Sequence, residues 1–109
     1  MIVDDASHLW SHQIKALFTL WEVLPHGGVY ILEDLETGFA SYRDMGFDDA
    51  PVPTYDVLAA IVEVATSKEY LRSGKHAAEG YGMKAEIERI GGEMDMMTFI
   101  HGSCIMVKA

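Results

Sequence analysis

The chain has 109 residues, of which 50% are hydrophobic, and this length and composition suffice for one packed domain spanning residues 1–109. The 8 Lys and Arg residues against 17 Asp and Glu residues give a formal net charge of −9 at pH 7, which repels nucleic-acid phosphates and anionic lipid surfaces. No stretch approaches the roughly 18 consecutive apolar residues of a membrane span, and a single cysteine, Cys104, indicates a reducing, cytoplasmic setting.

The chain opens with a predicted strand and helix. Ile2 and Val3 form a short apolar run that ends at Asp4 and Asp5, a pattern typical of a buried strand that stops at a polar edge. Apolar residues then recur at spacings of three and four, which predicts a helix with one buried face. Gln13 is expected on the opposite, polar face of that helix.

A second strand follows the helix. Ser7 is the predicted N-cap of the helix, and the sequence LPHGG is its predicted end. Residues 28–34, GVYILED, are rich in β-branched and aromatic side chains and end in Glu33 and Asp34. A strand, a helix and a strand with short connections form a right-handed parallel unit in nearly all cases. The first two strands are therefore predicted to be parallel neighbours.

The remaining residues complete an α/β fold. Residues 35–53 contain glycines and prolines and predict a long loop, and residues 54–71 predict a helix on the side of the sheet left open. Residues 75–93 are ambiguous between helix and strand. Two apolar runs around HGS, residues 101–103, predict an antiparallel hairpin. We expect about four strands, two parallel plus a C-terminal hairpin, with helices packed on the faces.

Acidic side chains follow both parallel strands. Because the carboxyl ends of parallel strands lie along one edge of a sheet, we expect Asp4, Asp5, Glu33 and Asp34 to converge there with His8. Carboxylate oxygens from two adjacent loops suit a hard cation such as Mg²⁺. The alternative is that the aspartates only cap helices.

The histidines allow a different metal. His8 and His12 are four residues apart and would share one helical face, a spacing that can bind zinc. The intervening glutamate of the protease motif is missing, and the alternative is that His12 packs against the loop after a strand. His8 lies beside the carboxylates, where an imidazole could accept a proton from a hydroxyl near neutral pH.

Residues 3–39, VDDASHLWSHQIKALFTLWEVLPHGGVYILEDLETGF, resemble a known family. The shared pattern is Asp-Asp-x-Ser-His, a second histidine four residues on, a helix that ends near Leu-x-Pro-Gly-Gly, and a strand that ends in Glu-Asp-Leu. Pro25 stands one position earlier than in the usual order. The stretch resembles the second half of class I S-adenosylmethionine-dependent methyltransferases, in particular the macrolide sugar O-methyltransferases and the related cephalosporin-hydroxylase-like group.

The resemblance implies a set of roles. It implies a truncated Rossmann-like methyltransferase sheet, with S-adenosylmethionine as the methyl donor. It implies that Asp5, Glu33 and Asp34 hold Mg²⁺ and that His8 is the general base that removes a proton from a sugar or other small-molecule hydroxyl. Metal and base together would make the hydroxyl oxygen more nucleophilic toward the methyl group.

The cofactor site of the family has no visible counterpart. The sequence contains no Gly-x-Gly-x-x-Gly turn. We therefore expect the C-terminal half of such an enzyme, inactive alone: a truncated gene product, an expressed fragment, or the partner of a separate N-terminal half. An exposed first strand predicts a homodimer through that edge. The alternative is a non-catalytic remnant that serves as a dimerisation or small-ligand-binding module.

Overall fold

The computed structural model describes residues 1–5, 8–35, 50, 52–67 and 82–109. Within these residues the elements follow the order β1 (Ile2–Asp4), α1 (Trp10–Val23), β2 (Val29–Leu32), α2 (Thr54–Ser67), α3 (Lys84–Gly92), β3 (Met94–Ile100) and β4 (Ser103–Lys108). The predicted α/β class is confirmed.

The strands form one mixed sheet in the order β1-β2-β4-β3. β1 and β2 are parallel, with Asp4 opposite Leu32, and both other strand pairs are antiparallel. The turn between β3 and β4 has φ angles of 49° at His101 and 67° at Gly102. Positive φ at both central residues matches the twist of a two-residue hairpin. The predicted parallel pair and the predicted C-terminal hairpin are therefore both confirmed.

Helix α1 begins later than the sequence predicts. Leu9 occupies the N-cap position and makes no side-chain cap hydrogen bond. Ser7, the predicted cap, lies outside the described residues. The helix ends as predicted at the LPHGG sequence, where Leu24 is the C-cap and Gly27 has a φ of 78°. Glycine is favoured at that position because residues with a side chain rarely adopt such a φ.

The described helices share one core on one face of the sheet. Leu17 of α1, Val57 of α2 and Ile87 of α3 belong to the same buried cluster as Tyr30 and Met106 of the sheet. Side chains alternate between the two faces of a strand, so Tyr30 and Met106, which pair across β2 and β4, mark the covered face. The second helix was expected on the face of the sheet that α1 leaves open. This placement is wrong, because α2 packs beside α1 and α3 on the same face.

The opposite face of the sheet carries apolar side chains that these helices leave uncovered. Ile31 and Ile105, which pair across β2 and β4, are half-buried, while Val3 is 50% exposed and Ile100 is 52% exposed. Within the described ranges the structure is thus two-layered, with one helical layer on one sheet.

Two further predictions fall partly outside the described ranges. Residues 36–49 of the predicted loop and residues 68–71 of the predicted second helix are not among them. The ambiguous stretch at 75–93 contains α3 in its described part. None of the helices that the structure describes has the length and apolarity to cross a membrane.

Candidate functional site

The predicted site residues lie at the carboxyl ends of the two parallel strands. Asp5 follows β1, and Glu33 and Asp34 follow β2. The Glu33 N–H donates to the Asp4 carbonyl oxygen at 3.1 Å, so the two strands remain side by side as they end. Parallel pairing thus places side chains almost thirty residues apart in sequence at one edge of the sheet, as the sequence predicts.

Two neighbouring carboxylates act on Glu33 at this edge. The Asp5 carboxylate, the largest influence, raises the pKa of Glu33 above its ordinary value. Some desolvation, a side-chain hydrogen bond between Glu33 and Asp5, and the charge of Asp34 raise it further. Like charges disfavour one another's ionised forms, so a proton or a cation would relieve the repulsion among them.

His8 lies beside the third carboxylate. Its Nε2 atom is 3.8 Å from Oδ2 of Asp34, and the imidazole is 51% exposed whereas the Asp34 side chain is 21% exposed. This distance is too long for a hydrogen bond but suits an ion pair when the imidazole is protonated. His8 is therefore half-exposed at this edge and lies next to a carboxylate.

The donor chemistry of this edge suits a hard divalent cation, which prefers carboxylate oxygens. In the described ranges, however, no group of three or more His, Cys, Asp or Glu side chains is arranged so that it could hold a metal ion. Asp5, Glu33 and Asp34 would have to turn toward a common point to bind one.

Asp4 has a structural partner. Its Oδ2 accepts a hydrogen bond of 3.0 Å from the hydroxyl of Tyr30, whose side chain is buried. Burial, and then the charge of Asp4, raises the pKa of Tyr30 well above its ordinary value. Asp4 therefore anchors β1 to β2, whereas its neighbour Asp5 approaches Glu33.

The structure does not place His8 and His12 as a zinc pair on one helix. Because α1 begins at Trp10, His8 precedes the helix, and the expectation that His8 and His12 share a helical face is wrong. His12 lies within α1 and borders a shallow surface depression with Lys15 and Thr19.

Gln13 is a site residue that the sequence analysis placed wrongly. Its side chain is 1% exposed rather than on a polar face. Nε2 donates to the carbonyl oxygens of Glu33 and Asp34, both at 3.2 Å, and Oε1 accepts a 2.6 Å hydrogen bond from the Thr54 hydroxyl. The signal was the spacing, since Gln13 lies three residues after Trp10 and four before Leu17, on the apolar stripe.

The turn after β2 is constrained at a second point. Asp34 has a φ of 61°, which is uncommon for a residue with a side chain. The next N–H, that of Leu35, donates to the Gly102 carbonyl oxygen at 2.7 Å. The hairpin turn between β3 and β4 therefore supports the loop that carries Glu33 and Asp34.

Comparisons with known proteins gave two curated relatives, both from Streptomyces olivaceus. The 8-demethyl-8-alpha-L-rhamnosyl tetracenomycin-C 2'-O-methyltransferase is 32% identical over 78 residues, which are 71% of this chain and 21% of that protein. The 8-demethyl-8-(2-methoxy-alpha-L-rhamnosyl)-tetracenomycin-C 3'-O-methyltransferase is 41% identical over 39 residues, 36% of this chain and 10% of that protein. No family model matches the chain.

The chain thus spans about a fifth of the length of the first relative. Both relatives are O-methyltransferases whose names specify a rhamnosyl group. The resemblance to sugar O-methyltransferases that residues 3–39 carry is thereby confirmed.

Proposed function

We propose that this chain forms the acceptor and metal half of an S-adenosylmethionine-dependent, magnesium-assisted O-methyltransferase that acts on a sugar or another small-molecule hydroxyl. The observation that carries the proposal is the grouping of Asp5, Glu33, Asp34 and His8 at one edge of the sheet. Similarity to two O-methyltransferases supports the reaction type.

In this proposal His8 is the general base. Its half-exposed imidazole can accept the proton of an acceptor hydroxyl. Asp34, at 3.8 Å, then stabilises the imidazolium that forms. The oxygen, having lost its proton, is the nucleophile toward the methyl group.

The three carboxylates have a separate role. Asp5, Glu33 and Asp34 would hold Mg²⁺, which when bound polarises the acceptor hydroxyl and lowers its pKa. The residues themselves supply concentrated negative charge at an accessible edge, and the raised pKa of Glu33 reports that charge. Asp4 keeps the two strands together beneath them through Tyr30.

No residue of this chain is assigned to S-adenosylmethionine. The 109 residues include no Gly-x-Gly-x-x-Gly turn. We propose that a polypeptide region other than the described residues supplies that site.

Manganese binding tests the part of the proposal that concerns the metal ligands. Mn²⁺ added to the protein is followed by electron paramagnetic resonance, because the free ion gives a signal that binding broadens. Asp5→Asn and Asp34→Asn are expected to weaken binding by about tenfold or more, since each removes one anionic ligand. Asp95→Asn is the control, as it makes the same charge change on an exposed residue of β3.

Equal weakening by all three variants would mean that Mn²⁺ responds only to net charge, and the assigned ligands would then be wrong. Weakening confined to Asp5→Asn and Asp34→Asn supports the site.

Calorimetry with S-adenosylmethionine separates catalysis from the non-catalytic alternative. The titration is run with and without Mg²⁺ on the chain as it is expressed, and again together with a candidate cofactor-binding partner. Binding of the methyl donor in either preparation supports the enzyme. Absence of binding in both preparations favours a non-catalytic module.

We further propose that a second copy pairs with β1. This strand is an outer strand of the described sheet, hydrogen-bonded to β2 alone, and its Val3 side chain is 50% exposed. An unpaired edge is a ready template for another strand. Val3→Lys should convert a dimer to a monomer in light scattering, and a monomeric wild-type protein at micromolar concentration would contradict the proposal.

The cytoplasm is the compartment that we propose. Cys104 is a free, buried cysteine. A reduced thiol of this kind is typical of proteins in a reducing environment.

A further inference from the structure

The backbone at Asp34 adopts a conformation that its own side chain does not favour. Its φ of 61° lies in the left-handed region, which Asp tolerates better than most residues but rarely adopts without support. The same residue carries the carboxylate that lies 3.8 Å from His8. The direction of that carboxylate therefore depends on whatever holds the turn.

Gln13 contacts the peptide groups on both sides of Asp34. Its amide nitrogen donates to the carbonyl oxygen of Glu33, which precedes Asp34, and to the carbonyl oxygen of Asp34 itself. One carboxamide nitrogen thus donates to two consecutive carbonyl oxygens. Because Gln13 is 1% exposed, water does not compete strongly for these bonds.

The other end of the carboxamide is also fixed. Oε1 of Gln13 accepts a 2.6 Å hydrogen bond from the hydroxyl of Thr54, the first residue of α2. This bond orients the amide so that its nitrogen faces the turn after β2. Gln13 therefore links three elements, namely α1, the carboxyl end of β2 and the start of α2.

We propose that Gln13 is a positioning residue that holds Asp34 in its left-handed conformation and thereby places the Asp34 carboxylate beside His8 and Glu33. The inference rests on the proposed function where it concerns metal binding. Its structural part, that the φ of Asp34 depends on Gln13, stands independently of that function.

The test compares three variants of the full chain. Gln13→Met keeps a similar side-chain length and removes all three hydrogen bonds. Thr54→Val removes only the bond that orients the carboxamide, and Thr54→Ser restores a hydroxyl and serves as the conservative control. Each variant is studied by nuclear magnetic resonance and by Mn²⁺ titration.

The resonance readout is the nuclear Overhauser effect between the amide and α protons of Asp34, which is strong only when φ is positive. We expect Gln13→Met to lose this signal, Thr54→Val to weaken it, and Thr54→Ser to keep it. The dissociation constant for Mn²⁺ should rise by about 10- to 100-fold in Gln13→Met, as for other residues that orient metal ligands.

A Gln13→Met protein that folds and keeps both the Asp34 signal and the wild-type Mn²⁺ affinity would overturn the proposal. If Gln13→Met does not fold, an unchanged Asp34 signal in Thr54→Val overturns it instead. If the wild-type chain binds no Mn²⁺, the proposed metal site fails, and the Asp34 signal alone still decides the role of Gln13.

Discussion

Asp4 and Asp5 are adjacent acids with different partners. Asp4 accepts a hydrogen bond from the buried Tyr30, while Asp5 raises the pKa of the partly exposed Glu33. Asp4 is the last residue of β1 and Asp5 follows the strand, which gives the two neighbours different surroundings. One carboxylate therefore stabilises the sheet, and the other contributes charge to its edge.

Replacing Glu33 should stabilise the protein at neutral pH. The pKa of Glu33 is raised in the folded state, so the folded protein binds this proton more tightly than the unfolded chain. The stability that this tighter proton binding provides is present below pH about 4. It is lost as the pH rises through the raised pKa of Glu33. Glu33→Gln should remove that loss, giving a higher melting temperature than wild type at pH 7 and weaker Mn²⁺ binding.

Melting temperatures measured across this pH range, with Asp95→Asn as the charge-matched control, check this expectation. A Glu33→Gln protein with a lower melting temperature than wild type at pH 7 would show that the carboxylates do not repel one another as described.

Replacing Tyr30 should affect stability without affecting Mn²⁺ binding at the proposed site. Tyr30→Phe removes the 3.0 Å hydrogen bond to Asp4 and keeps the buried ring. The free energy of unfolding should fall by about 1.5–3 kcal/mol, the usual contribution of a hydrogen bond to a charged group. Urea denaturation and Mn²⁺ titration together measure both quantities, and weakened Mn²⁺ binding would contradict a purely structural role for Asp4.

At the scale of single elements, the spacing of apolar residues predicts which face of α1 is buried. The polar side chain of Gln13, however, wrongly suggests that this residue lies on the exposed face. The periodic positions of Trp10 and Leu17 place Gln13 on the buried side, and only its amide suggests solvent. A buried carboxamide is stable there because its hydrogen bonds are satisfied by two backbone carbonyls and by Thr54. Those partners come from later elements, so the helix sequence alone does not reveal them.

Helices α2 and α3 approach closely at a glycine. A Cβ atom at Gly91 would lie 2.5 Å from Cβ of Val64 and 3.1 Å from the Ile61 carbonyl oxygen, whereas one at Gly92 would meet nothing within 4 Å. Gly91→Ala should therefore destabilise the protein by about 1–3 kcal/mol. Gly92→Ala should be neutral or stabilise it by up to about 1 kcal/mol, because alanine favours helix.

Thermal and urea denaturation of the two alanine variants, side by side, check this contrast. Equal stability of the two would mean that α2 and α3 do not pack through Gly91.

At the scale of the whole molecule, two of the three strand pairs could be predicted because local signals mark them. Acidic residues lie at the ends of β1 and β2, and His101 and Gly102 form the turn between β3 and β4. The pairing of β2 with β4 joins segments far apart in sequence and has no such signal. The placement of α2 could not be predicted in this way, since its apolar stripe fits either face of a sheet. Packing against α1 and α3 selects the face, and that choice depends on contacts distant in sequence.

The buried cysteine reports on global unfolding. Cys104 is 0% exposed, and burial raises the pKa of its thiol to about 12. The thiolate is the reactive form of cysteine. A disulfide reagent at pH 8 should therefore label the native protein only as fast as the fold opens and exposes Cys104. Full and rapid labelling in urea is the control, and equally rapid labelling without urea would contradict the described core.

The site could be predicted in part, because parallel pairing places Asp5 beside Glu33, whereas the support from Gln13 and the hairpin turn depends on the folded chain. Crystals soaked in Mn²⁺ show directly whether the carboxylates at this edge hold a metal ion. We expect an anomalous difference peak within coordination distance of the carboxylates of Asp5, Glu33 and Asp34. A fully soaked crystal with no peak at these three carboxylates would contradict it.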